Sequence, residues 1–186
     1  MPIIAGYSKT YRKYRPNGGG GGLIMLIRDG IKTKNLNINI HQRSIVEAQA
    51  VEITIARNNI KLLHVYNPET TLDIRDFKLI AEQIGRKYLI VGDMNGHHSL
   101  WDPYIQSNNQ CGNVLADFML DQPTLALATP PGLPTFTNYK GETSTLDLTF
   151  CSPNLIHLIN VSSLADHGSD HLPILTKVDL TPEKLT

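Results

Sequence analysis

The chain predicts a layered α/β domain. Two alternating segments, Ala48–Ala56 and Ile60–Tyr66, read as strands joined by an Asn58-Asn59 turn, which is a hairpin signal. Leu72, Ile74, Phe77, Ile80, Ala81 and Ile84 then recur at helical spacing, and the apolar run Tyr88–Val91 after them reads as a buried strand. Strand, helix and strand in succession set a helix against a sheet. The 186 residues suffice for one domain with a substantial core, taken as 1–180, with a tail at 181–186.

In order along the chain, Tyr7–Tyr14 is polar and aromatic. The glycine run Gly18–Gly22 lacks the lysine and hydroxyl of a nucleotide-binding loop and reads as a hairpin connection into the strand Leu23–Ile27. Asp29-Gly30 turns the chain, and Lys32–Asn39 alternates weakly, as an edge strand does. Asn67-Pro68 ends the hairpin. Asp73 and Asp76 suit the start of the helix Leu72–Ile84, and Gly85 its stop. Asn108–Gly112 reads as a polar loop, Asn113–Asp121 as a second helix, and Leu125–Ala128 as a short strand. Pro130–Pro134 is a loop, Thr135–Thr137 is short and extended, and Gly141–Thr145 turns into the strand Leu146–Cys151. Ile156–Leu164 leads to a polar stretch ending at His171, and Leu172–Val178 is the last strand.

Seventeen basic and seventeen acidic residues cancel, so bulk charge gives no argument for a nucleic-acid partner. The distribution differs: before residue 35, Lys9, Arg12, Lys13, Arg15, Arg28, Lys32 and Lys34 face only Asp29. A basic arm beside an acidic pocket suits an enzyme that holds a polyanion, and equally a solvated N-terminus. Cys111 and Cys151 have no metal-like spacing and read as reduced, half-buried intracellular thiols. No run is apolar enough to cross a membrane, and no signal-peptide core follows Met1-Pro2.

Chemistry-bearing residues gather at predicted strand ends. Gly92 breaks the apolar run, and Asp93 and Asn95 follow one residue apart. On extended backbone that spacing points both side chains one way, where a carboxylate and an amide can hold a water and a phosphoryl oxygen together. Gly-Asp and Asn-Gly are also turn pairs, so this stretch alone fits a turn equally well. Asp147 lies in the apolar run Leu146–Phe150, where an unpaired carboxylate is costly, so it needs a partner or backbone donors. Asp170 suits a hard cation. His171 suits a phosphate oxygen, or proton transfer once a carboxylate such as Asp147 orients its ring. Tyr66 and Asn67 stand at the end of another strand.

Four motifs occur in order: Tyr66-Asn67-Pro68, Gly92-Asp-Met-Asn95, Ser144-Thr-Leu-Asp147 and Ser169-Asp-His-Leu-Pro173. With them the chain resembles the endonuclease/exonuclease/phosphatase superfamily, and within it the endonuclease domain of non-LTR (LINE-type) retrotransposons of the jockey-like group. The resemblance implies a four-layer α/β sandwich, two mainly antiparallel sheets flanked by helices. It implies hydrolysis of a DNA phosphodiester with Mg²⁺ or Mn²⁺, leaving a 3′-hydroxyl. Carried over by motif, Asp93 orients or deprotonates the attacking water, Asn95 holds it, and His171 positioned by Asp147 stabilises the phosphate. Tyr66 bonds a phosphate oxygen, Asp170 and Asp93 lie at the metal, and Asn67, His98, Ser144 and Ser169 contact substrate. Implied partners are DNA and a C-terminal reverse transcriptase in a longer polyprotein, with no membrane and a nuclear location inside the cell.

The pattern departs from the family in one respect. The family's first strand ends in asparagine, and its second carries a glutamate in a Gln-Glu-Thr-like motif. Neither occurs before Gly18, and the match begins near Gly6-Tyr7. The sandwich is therefore expected to lack its first strands. The alternative reading is an impaired relic that binds DNA or a protein. A third keeps the superfamily with a small phosphoester as substrate.

Overall fold

The computed structural model describes residues 4–15, 21–41, 43–55, 57–165 and 167–180. Strand β1 (Lys9–Tyr14) pairs antiparallel with β2 (Gly22–Ile27), so the expected hairpin is present, although Gly18–Gly20 lies outside the described residues. The polar, aromatic Tyr7–Tyr14 stretch is mostly strand. Its period is hidden in sequence because its half-buried positions are Tyr11 and Lys13 rather than aliphatic residues.

Then come β3 (Lys32–Leu36), β4 (Glu47–Ile55) and β5 (Asn58–Tyr66). In the β4–β5 hairpin Ile55 pairs with Asn58, and Arg57 has a φ of +67°. The turn thus precedes Asn58-Asn59, and those asparagines are the first residues of β5. Helix α1 (Ile74–Ile84) starts at Asp73, whose side chain accepts from the backbone N–H of Arg75, and ends at Gly85 with a φ of +79°.

Strand β6 (Tyr88–Asp93) follows, then helix α2 (Gln110–Asp121). The helix begins earlier than its pattern suggests. Asn109 caps it, with its Oδ1 accepting from Gly112 N–H at 2.7 Å. Gly112 reads as loop in sequence, but a Cβ there would meet the His97 carbonyl oxygen at 2.0 Å, so close packing selects the glycine.

Short strands β7 (Ala126–Leu127), β8 (Phe136–Thr137) and β9 (Thr143–Ser144) precede β10 (Asp147–Cys151). A 3₁₀ turn, Pro153–Leu158, leads into the hairpin of β11 (Ile159–Ser163) and β12 (Ile174–Val178).

A six-stranded sheet runs β3-β4-β5-β6-β10-β7, antiparallel except for the β5–β6 pair that α1 connects. Its period-2 alternation sends Ala48, Ala50, Leu63, Val65, Ile90, Leu148 and Phe150 to one face, where they pack with Phe77, Ile80, Leu115 and Phe118 of the two helices. Phe77 and Phe118 meet edge-on, centroids 6.1 Å apart. The opposite face is partly covered by the β1–β2 and β11–β12 hairpins. The fold is an α/β sandwich built on a mainly antiparallel sheet, and among the described residues both α-helices lie on one side of it. No helix among them is long and apolar enough to cross a membrane. Cys111 and Cys151 are free thiols and are fully rather than half buried, with burial pushing them up to about 12 and about 11.

Candidate active site

Strands β6 and β10 end side by side, and their register sets Asp93 opposite Asp147. Two carboxylates as direct neighbours repel unless a cation lies between them. His171 occupies that position. Its Nδ1 is 2.8 Å from Asp147 Oδ2, and its Nε2 is 4.0 Å from Asp93 Oδ2. An ionised carboxylate only accepts, so Nδ1 carries the proton and donates to Asp147.

Burial opposes protonation of His171, but the hydrogen bond and charge of Asp147, aided by Asp93 and Asp170, outweigh it and hold the imidazole above its ordinary value. Burial pushes Asp93 up to about 6. Asp147 and Asp170 add to the rise, while the Asn95 N–H and His171 oppose it.

The loop after β6 is shaped by two residues. Gly92 has a φ of +150°, and a Cβ on it would come within 1.7 Å of the Val65 carbonyl oxygen, so no other residue allows β5 and β6 to lie this close. Asn95 is not on extended backbone. It sits in the left-handed region at a φ of +48°, and its N–H donates to Asp93 Oδ1 at 3.0 Å. Asn95 Nδ2 donates to the Asn67 carbonyl at 2.8 Å and to Asp93 Oδ2 at 3.2 Å. The turn reading of this stretch is met and the extended-backbone one is not: a turn, rather than strand spacing, brings the amide onto the carboxylate.

Tyr66 ends β5 beside Asp93, since His64 pairs with Val91 two residues earlier on each strand. The Arg15 guanidinium lies 5.9 Å from the Tyr66 ring centroid, and its Nε donates to Glu47 Oε1 at 2.6 Å. Glu47 opposes Tyr66 in register, so Glu47, Tyr66, Asp93 and Asp147 form one row across four strands.

The remaining expected residues fall in different places. Asn67 is fully buried, and its Nδ2 donates to the carbonyls of Glu69, Thr71 and Met94. It is a plug beneath the site that meets Asn95 through its backbone oxygen. His98 packs on Trp101, centroids 5.2 Å apart, and its Nδ1 accepts from the Leu100 N–H. Ser144 pairs with Phe136, and its carbonyl accepts from Thr135 N–H at 2.9 Å. Asp170 is exposed; its Oδ1 accepts from Ser169 Oγ and from the His171 N–H.

Sequence reasoning gave no role to three supporting residues. Thr135 Oγ1 accepts from the N–H groups of Leu146 and Asp147 at 2.8 and 2.9 Å, and its carbonyl accepts from Leu172 N–H. It thereby ties the start of β10 to the His171 segment. Phe136 stands edge-on to the His171 ring at 5.0 Å. Asn109 holds the other loop, donating to the Asn95 carbonyl at 2.8 Å. Asn109 carries a capping signal, but nothing in sequence links any of the three to the site.

Among the described residues, no group of three His, Cys, Asp or Glu side chains converges as a metal set. Asp147 is committed to His171, and Asp170 faces solvent. These side chains alone do not complete the ligands of a divalent cation.

Residues 60–175 match the endonuclease-reverse transcriptase family. The RNA-directed DNA polymerase from the mobile element jockey of Drosophila funebris is 29% identical over 187 positions, taking in 97% of this chain and 19% of that protein. The probable RNA-directed DNA polymerase from transposon X-element of Drosophila melanogaster is 32% identical over 175 positions, 91% of this chain and 19% of that protein. The chain thus spans about a fifth of the length of the curated relatives it matches. The endonuclease domain of TRAS1, a telomere-specific non-LTR retrotransposon, superposes with a TM-score of 0.73 at 18% identity, covering 92% of this chain and 80% of that one. The Xenopus laevis APE2 catalytic domain gives 0.67 at 14% identity, covering 95% and 77%. With the sandwich shared by these structures and a family match over more than half its length, the chain belongs to the endonuclease-reverse transcriptase family, in the non-LTR retrotransposon branch of the endonuclease/exonuclease/phosphatase superfamily.

Proposed function

We propose that this domain is a DNA endonuclease that hydrolyses one phosphodiester and leaves a 3′-hydroxyl. The observation that carries the reading is the run Asp147, His171, Asp93 and Asn95 at one sheet end, with a histidine between two carboxylates. In this reading Asp93, ionised above about pH 6, accepts a proton from the attacking water. Asn95 fixes that carboxylate and the water. His171, whose protonated form the Asp147 hydrogen bond and charge favour against burial, stabilises charge on the phosphate. Tyr66, beside Asp93, contacts a phosphate oxygen. Positioning and charge stabilisation supply most of such a reaction.

The family resemblance adds Mg²⁺ or Mn²⁺, a longer polypeptide with a reverse transcriptase, and a nuclear location. The carboxylates present do not complete a cation's ligand set. Cation dependence is therefore read from chelation.

The test is nicking of supercoiled plasmid in Mg²⁺ and in Mn²⁺, with EDTA controls and a small phosphomonoester as competing substrate. The reading expects nicking that EDTA stops, 3′ ends that a polymerase extends, and no phosphomonoesterase activity. Hydrolysis of the small phosphoester alone contradicts it. The incomplete ligand set favours a second reading, a relic that binds without cutting. A folded, non-nicking protein with salt-sensitive DNA affinity supports that reading. Part of the basic arm is already engaged within the fold, since Lys9 Nζ donates to the Ile31 carbonyl, Lys13 Nζ to the Ala48 carbonyl, and Arg15 to Glu47.

A further inference from the structure

The row of Asp147, Asp93, Tyr66 and Glu47 is continued by Arg15, the residue after β1. Arg15 Nε donates to Glu47 Oε1 at 2.6 Å. The guanidinium also lies 5.9 Å from the centroid of the Tyr66 ring, within cation–π reach. On a third side it fills the space that a side chain on Gly21 would take, since a Cβ there would stand 3.3 Å from Arg15 Cζ and from Nη2. A carboxylate, an aromatic ring and a bare backbone thus hold one arginine head in place.

This ion pair is a poor source of stability. The Glu47 side chain is 8% exposed and that of Arg15 37%, so a carboxylate is desolvated for a partner that keeps much of its water. Desolvation of this kind can exceed the attraction it allows. What the pair supplies is placement. The contact uses Nε alone, and among the described residues Glu47 is the one ion-pair partner of Arg15. The two Nη groups are not taken by a second carboxylate. A guanidinium fork held in this way matches a phosphate through two parallel hydrogen bonds.

Arg15 borders a cleft of about 450 Å³ whose walls also carry Lys13 and Arg43. Lys13 Nζ is tied to the Ala48 carbonyl, and Arg43 is exposed. Glu47 is the one acid on these walls, so three cations stand against one carboxylate. The cleft is close to the reacting groups. Glu47 on β4 is two strand steps from Asp93 on β6, about 10 Å at about 4.8 Å per step. At about 3.4 Å of strand per nucleotide, this corresponds to about three nucleotides.

We propose that Arg15 binds a phosphodiester of the cleaved strand about three nucleotides from the scissile one, with Arg43 in the same cleft and Glu47 as the positioning residue of Arg15. The inference rests on the nuclease reading for the place of the scissile phosphate. It adds a grip on the strand at a point that Asp93 and His171 do not reach.

The test follows binding of a short labelled DNA duplex by fluorescence anisotropy, in EDTA and over a range of salt, with urea unfolding to confirm that each variant is folded. Arg15→Ala is expected to weaken binding about tenfold and to lower the salt slope by about one. Arg12→Ala removes the same charge from an exposed position of β1 and is expected to cost about twofold at most. Glu47→Gln discriminates further. It makes the protein more positive, so binding by bulk charge would tighten. With Arg15 released, binding is expected to weaken about threefold or more instead. Should Glu47→Gln not fold, the contrast between Arg15→Ala and Arg12→Ala decides alone. Equal losses for those two, or tighter binding by folded Glu47→Gln, overturn the proposal. Plasmid nicking is read separately. A chain that nicks, while Arg15→Ala binds as tightly as the parent, sinks this inference and leaves the nuclease reading. A chain that binds through Arg15 without nicking removes that reading and leaves the phosphate site. A chain that binds no DNA overturns both.

Discussion

The two faces of the six-stranded sheet are finished to different degrees. The helix face is closed: its largest side chains, Phe77, Trp101 and Phe150 among them, are fully buried, and α1 and α2 pack over it. The site face holds Asp93, Asp147 and His171 at one end and half-buried Leu62, His64 and Val91 in its middle. Stability is therefore concentrated on one face and chemistry on the other. Groups that need water and substrate stand where burial is incomplete, on a scaffold held from behind.

The sharpest break of this comparison is Gly92→Ala, which touches both faces at once. A Cβ within 1.7 Å of the Val65 oxygen forces β5 from β6, and we expect a loss of about 4 kcal/mol or more in urea unfolding. Next is Phe77→Ala on the closed face, at about 3–5 kcal/mol. The matching change on the open face, Leu62→Ala, is expected to cost about 1 kcal/mol, because that side chain is only partly buried. Equal costs for the two would erase the distinction between the faces. His171→Ala sharpens it from the other side. Nicking is expected to fall about a hundredfold or more, with a stability loss of about 1–2 kcal/mol, below that of Phe77→Ala, because Asp93 and Asp147 then face each other without it.

The closed face is the part that reads directly from sequence. Alternation in β4 and β5 and helical spacing from Leu72 to Ile84 report burial on that side, because each period is set by local geometry and one apolar environment. The site face reads less well. Lys9–Tyr14 carries no aliphatic alternation. Even on the closed face the start of α2 is hidden by residues chosen for capping and close contact, Asn109 and Gly112. The pairing of Asp147 with His171 was legible, since a carboxylate in an apolar run needs a partner. The left-handed Asn95, the buried role of Asn67 and the splint at Thr135 were not, because each depends on backbone from a distant segment.

Acidity sets the smallest expected effect. Asp93 must be ionised to accept a proton, so the nicking rate is expected to halve near pH 6 and keep falling below it. His171, held above its ordinary value, loses its proton only on the alkaline side, so the profile is bell-shaped. An acid limb near pH 4, the ordinary carboxylate range, would mean that Asp93 is not the group being titrated.

The most direct test of the account reads chemistry and stability in one variant, Asp93→Asn, assayed for plasmid nicking and for urea unfolding at pH 7.5. Burial raises this carboxyl from 3.8 to about 6, so its stabilising effect is present below pH 4 and lost as pH rises through 6. Above pH 6 the ionised group works against folding by roughly 2–3 kcal/mol, which the amide relieves. The account predicts a more stable protein that no longer nicks. A variant that still nicks, or that loses nicking only because it unfolds, would contradict it.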